Sequence, residues 1–208
     1  MKLYYMPGAC SIGIHVLLEE IGKPYDLQKI DGAKQEQYGP EFVKINPKSK
    51  VPTLVRDDGQ VLTEFQAIAT WLARKNPDKG LLPADPDSEA RVLEALDYVV
   101  STMHMQGFSR MFRPGGYAYT EADHDKVKAR GKEIMEKGLA LMDKALEGKE
   151  YIAGKFSIAD AALFYVEFWA AARMKMTLPK NCAAHYERMK NRPAVKRTIE
   201  QEGLTAAV

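Results

Sequence analysis

Cys10 is the residue of this chain best placed for thiol chemistry. It follows Pro7-Gly8-Ala9 and precedes Ser11, where a helical pattern begins. Unpaired N–H groups and the dipole at a helix N-terminus favour an anion, and they lower a thiol from ~8.5 into a range of roughly 3.5–7.5. The competing reading is a small buried residue without a role, as free cysteine often is. Ser49-Lys50-Val51-Pro52-Thr53 is a second candidate, since a proline entering a strand calls for an edge, a first position or a cis bond. In one case the backbone of Val51 is open to an extended peptide; in the other Pro52 only marks an edge. Thr63-Glu64-Phe65-Gln66 opens a later helix whose free N–H groups suit a carboxylate, and Glu64 either takes a ligand ammonium or simply favours the helix start. Asp97, Ser101, His104 and Phe108 share one mostly polar helical stripe, beside an apolar stripe of Val92, Leu96, Val99 and Met103. Such a stripe is a solvated face or the wall of a site.

The elements that hold these residues divide the chain. Lys2–Tyr5 reads as a strand, the apolar positions Ile14, Leu17, Leu18 and Ile21 as a helix stopped by Gly22, and Tyr25–Ile30 as a second strand. Val51–Val55 and Val61–Thr63 are two more strands, joined by Asp57-Asp58-Gly59-Gln60, a hairpin signal. A helix with Ile68, Trp71 and Leu72 on one face ends before Asn76-Pro77. The order β-α-β then β-β-α predicts a thioredoxin-like α/β domain with a mixed four-stranded sheet over residues 1–80. Residues 81–86 close a Pro- and Gly-rich linker. Residues 87–208 predict an all-α helical bundle, with helices near Ser88–Phe108, Thr120–Leu146, Ser157–Ala172, Asn181–Asn191 and Pro193–Glu202. Ser157-Ile158-Ala159-Asp160 caps a helix that is apolar almost all round, the mark of a buried central helix.

Composition narrows the function classes. Lys+Arg total 30 against 28 Asp+Glu, a net charge of +2 without basic runs, which gives nucleic acid no electrostatic footprint. No apolar stretch approaches the ~20 residues of a membrane span, and the N-terminus has no apolar core of a signal peptide. Cys10 and Cys182 suggest no disulfide framework, so a cytoplasmic protein with reduced thiols is expected. His15, His104, His124 and His185 include no pair at metal-ligand spacing, and no metal is expected. Nucleotide-binding glycine loops and a G-x-S-x-G elbow are missing. Position 13 is Gly13, so Cys10 has no C-x-x-C partner for an internal dithiol cycle.

Taken in order, these segments resemble the cytosolic glutathione S-transferases along essentially the whole chain. Met1–Tyr5 with Pro7-Gly8-Ala9-Cys10-Ser11 is similar to the bacterial beta class. Asn46-Pro47-Lys48 ahead of Val51-Pro52, Leu62-Thr63-Glu64 with Ala67-Ile68, the Ser157–Asp160 cap and the ending Glu202-Gly203-Leu204 resemble further family segments. The resemblance implies a detoxification-type transferase that joins the thiol of glutathione, its co-substrate, to a small apolar electrophile. It implies that Cys10, Ser11 and His104 surround the sulfur, and that Val51 and Pro52 hold the cysteinyl backbone. Glu64 and Phe65 then meet the γ-glutamyl end, Lys34 the glycyl end, and Asp97, Ser101 and Thr102 the site-facing side of their helix. A homodimer through the first two helices after the linker is implied as well. A thiol–disulfide reductase using Cys10 and a non-catalytic glutathione carrier are the alternatives on the same fold. The chain departs from the class in carrying Phe65, which has no hydroxyl, where Ser or Gly is usual. His104 matches the class histidine only with one extra residue before Gly107-Phe108, and one residue turns a helix face by about 100°.

Overall fold

Asp58-Gly59 does turn a hairpin, with Gly59 at φ 79° between β3 (Thr53–Val55) and β4 (Val61–Thr63). In this computed structural model, which describes residues 1–206, these strands join β1 (Lys2–Tyr5) and β2 (Asp26–Lys29) in one four-stranded sheet of order β2-β1-β3-β4. β1 and β2 are parallel; β1–β3 and β3–β4 are antiparallel. A parallel pair needs a crossover, and α1 (Ser11–Ile21) supplies it. Leu3 and Leu54 sit opposite each other on neighbouring strands, and both are buried.

Helix α1 is buried along most of its length, His15 included. Gly22 ends it at φ 72°, where its N–H donates to the Leu18 carbonyl, the left-handed stop that glycine reaches without a Cβ penalty. Helix α2 (Pro40–Ile45) was not expected: it is too short to show a period and buries only Phe42. Helix α3 (Phe65–Lys75) buries Phe65, Ile68, Ala69, Leu72 and Ala73, one continuous helical face.

The helical elements begin with α4 (Pro86–Asp97), capped by Asp85, whose carboxylate accepts the Ser88 N–H at 2.8 Å. The helix then runs on with π winding from Tyr98 to Phe108 before α5 (Ser109–Phe112). A π turn closes over one more residue than an α turn. Against this segment packs α6 (His124–Ala145). Helix α7 (Ile158–Phe168) is buried at every position and opens with the expected capping box of Ser157 and Asp160; a second π segment, Trp169–Arg173, extends it. Helices α8 (Lys180–Asn191) and α9 (Pro193–Gln201) follow.

The molecule comprises two compact units, Met1–Leu82 with the stretch from Arg188 on, and Pro83–Glu187. The C-terminal stretch therefore belongs with the sheet, whereas the sequence pattern groups it with the other helices. Charge explains part of this: Arg192 Nε donates to Glu20 at 2.7 Å and Arg197 Nε to Glu19 at 2.5 Å, both acceptors lying on α1.

Candidate functional site

In the sheet unit the loop from β1 to α1 places Cys10 as the residue before the helix, half-buried. Its thiol donates to the carbonyl of Val51 at 3.4 Å, so two residues 41 apart in sequence meet directly. The Val51–Pro52 peptide is cis and Pro52 is buried. The loop ahead of it is organised by buried Asn46, whose amide donates to the Lys50 carbonyl at 2.9 Å and to the Thr53 hydroxyl at 2.8 Å. Ser11 is fully buried, and its hydroxyl accepts the Met6 N–H and donates to the Met6 carbonyl, each at 3.2 Å. That hydroxyl braces the loop that carries Cys10.

A carboxylate far along the chain braces the same loop. Glu202, just past α9, accepts the Gly8 N–H at 2.7 Å and lies 2.9 Å from Nδ1 of His15 on α1; both side chains are without exposure. His15 Nε2 lies 2.6 Å from the Gln201 amide oxygen. Burial together with the negative charge of Glu202 pushes the Tyr5 phenol up. The only sequence signal for this contact was the resemblance of Glu202-Gly203-Leu204 to a family ending, which did not disclose a partner.

At the start of α3, Glu64 stands at φ 70°, a left-handed conformation that costs a non-glycine residue on the order of 1–3 kcal/mol. Lys48 holds its carboxylate at 2.6 Å and also donates to the Thr63 hydroxyl at 2.9 Å. The Asn46-Pro47-Lys48 motif of the sequence discloses no such partner for Lys48. Phe65 turns its ring into the core, 4% exposed, and what it offers a ligand is backbone. Lys34 is exposed beside Asp31, 3.6 Å away.

Asp97, Ser101, Thr102 and His104 lie in the other unit. Ser101 donates to the Asp97 carbonyl at 2.6 Å, an i−4 bond that helical serine often makes. His104 sits 3.2 Å, through Nδ1, from the Tyr165 hydroxyl, and its ring meets that of Trp169 edge-on with centroids 4.8 Å apart. Phe108 and Phe112 also pack edge-on against Trp169. His104 thus belongs to an aromatic cluster that sequence spacing did not reveal.

Residues 8–75 match the family description "Glutathione S-transferase, N-terminal domain", and residues 125–188 match "Glutathione S-transferase, C-terminal domain". Over 208 residues the chain is 38% identical to glutathione S-transferase GstA of Escherichia coli O157:H7, covering 98% of this chain and 100% of that protein. The chain belongs to the glutathione S-transferase family. Among solved structures, the bacterial beta class glutathione S-transferase of Sphingomonas chungbukensis is 32% identical with a TM-score of 0.84, over 99% of this chain and 100% of that one. A sphingomonad glutathione S-transferase complexed with glutathione is 33% identical with a TM-score of 0.84, over the same 99% and 100%. This family member accordingly has the thioredoxin-like N-terminal fold and the helical C-terminal fold expected from its sequence, and membership makes it a transferase enzyme. Among the described residues, no group of three or more His, Cys, Asp or Glu side chains is arranged to hold a metal ion. No described helix is long and apolar enough to cross a membrane.

Proposed function

We propose that this family member conjugates the thiol of glutathione to small apolar electrophiles, as a cytoplasmic homodimer. The observation that carries the reading is Cys10 Sγ at 3.4 Å from the Val51 carbonyl, which puts a thiol beside the backbone that an extended peptide would pair with. Glutathione bound along Val51 and Pro52 would bring its own sulfur near Cys10. Its γ-glutamyl carboxylate would meet the N-terminus of α3 at Phe65, and its ammonium the Glu64 carboxylate; Lys34 would take the glycyl end. The glutathione complex of the sphingomonad relative supports this co-substrate. Backbone amides of the loop braced by Ser11, with Cys10 and His104, are the proposed stabilisers of the thiolate, and stabilising that anion is the chief means of activating it. Asp97, Ser101 and Thr102 are proposed as polar contacts to glutathione. Met103, Met105, Met111 and Met174 with Phe112, Tyr117 and Trp169 are the proposed apolar surroundings of the electrophile, since methionine adapts to varied shapes.

The half-buried thiol of Cys10 also favours a second reading, reduction of mixed disulfides through this cysteine. Kinetics of Cys10→Ala separate the two. Conjugation of glutathione to an activated aromatic halide is expected to persist within about tenfold of wild type, a barrier change of about 1.4 kcal/mol. Any reduction of a glutathione mixed disulfide is expected to vanish. Loss of conjugation together with reduction would instead make Cys10 the nucleophile of the main activity.

A further inference from the structure

Three ionisable side chains meet in the helical unit without solvent exposure: Asp160 and Glu167 on α7, and His185 on α8. The proposed glutathione site includes none of them. His185 stands between the carboxylates, with Nδ1 bonded to Glu167 Oε2 at 2.8 Å and Nε2 3.3 Å from Asp160 Oδ1, an ion-pair distance without hydrogen-bond geometry. The two carboxylates differ in their support. Asp160 accepts the Ile152 N–H at 2.9 Å, and the Ser157 N–H and hydroxyl at 2.8 Å each, donors that favour its anion. Glu167 has His185 on one oxygen, while its buried Oε1 has no hydrogen-bond partner. A buried carboxylate with a bare oxygen is costly when charged, and a proton removes that cost. An imidazolium balances one carboxylate, so neutrality of the cluster requires a further proton.

Tyr151 meets the His185 ring edge-on with centroids 6.1 Å apart. Cys182 and Tyr186 come from α8; burial and the nearby Glu167 push both upward, with Asp143 of α6 adding to the effect on Cys182 and Glu187 to that on Tyr186. Both therefore stay neutral.

We propose that Asp160, His185 and Glu167 form a buried proton-uptake site that ties the packing of α8 on α7 to pH, holding one proton on His185 and another on Glu167. Burial raises the Glu167 carboxyl from 4.5 to about 7. For His185 burial alone pulls downward, but the Glu167 and Asp160 carboxylates outweigh it and carry the imidazole from 6.5 to about 9. Both folded values lie above the unfolded ones. Each group thus contributes stability that is complete below its unfolded value and is lost as pH rises through the folded one. The cluster loosens progressively between about pH 5 and pH 9.

Chemical denaturation of the full chain across that range reads proton uptake on folding from the slope of stability against pH. Beside wild type, Glu167→Gln keeps the size of the side chain but cannot ionise. At about pH 6 the variant is expected to take up about one proton fewer on folding than wild type. Equal uptake by the two chains would overturn the proposal. A second arm needs no variant: in wild-type protein with carbon-13-labelled histidine, the His185 ring, assigned through its contact with Tyr151, is expected to remain an imidazolium at about pH 8. A neutral His185 ring at about pH 7 would overturn the proposal equally.

Discussion

Glu202→Ala is expected to destabilise the sheet unit by about 3–5 kcal/mol and to raise the Michaelis constant for glutathione. The substitution removes the acceptor of two buried groups, the Gly8 N–H and His15 Nδ1, neither of which can reach water. In a chain of this length the loss corresponds to a melting point lower by on the order of 10 °C. The effect on glutathione follows from position, since Gly8 lies two residues before Cys10 and stands at φ 65°. Without its anchor the loop loses the register that sets Cys10 against Val51. Glu202→Gln keeps one oxygen acceptor and is expected to recover part of the stability. Melting curves and initial rates on the three proteins check this. A Glu202→Ala protein as stable as wild type would show that the buried contact is energetically idle.

Gly131→Ala is expected to cost about 2–3 kcal/mol, even though alanine favours a helix by about 1 kcal/mol over glycine. A Cβ at position 131 would lie 2.7 Å from the Gly107 carbonyl oxygen and 2.9 Å from Arg110 Cβ and Met111 Cγ. Backbone cannot step aside without moving the π-wound segment against which α6 packs. Gly138 is the internal control. There the three atoms nearest a Cβ all belong to Met103, the closest its Cγ at 2.7 Å, and a flexible side chain can repack. Gly138→Ala is therefore expected to stay within about 1 kcal/mol of wild type. Denaturant midpoints of the two variants decide the matter. Equal losses would mean that the close approach of α6 at Gly131 is not specially constrained.

Sequence reasoning reached the features whose causes are local. Gly22, Asp58-Gly59 and Ser157–Asp160 each specify a stop, a turn or a cap through a few neighbouring atoms, and all occur as expected. Periodicity located α3 and the buried α7 because eleven residues in each give a pattern long enough to read. It could not show α2, which is only six residues long. Nor could it show that the helix after the linker changes to π winding at Tyr98, since a 3.6-residue period is assumed in assigning faces.

The site divides along the same line. Placing Cys10 before α1 was legible from Pro7-Gly8 and the helical pattern that follows. The acceptor on its thiol, Val51, depends on which strands become neighbours. The pairing of His15 with Glu202 joins residues 187 apart, for which a single chain offers no spacing rule. The family resemblance places Ser11 beside the glutathione sulfur without saying what its hydroxyl bonds to. In the fold it is bonded to Met6, a partner that only the loop's conformation provides.

The central claim is that this family member activates glutathione for attack on an electrophile. Initial rates of conjugation to an activated aromatic halide, measured against glutathione concentration beside an enzyme-free control, test it most directly. The expected result is a rate that saturates in glutathione and stands well above the uncatalysed reaction. Glutathione binding detected by calorimetry, with no conjugation above the control for any of a panel of halides, epoxides and activated alkenes, would contradict it.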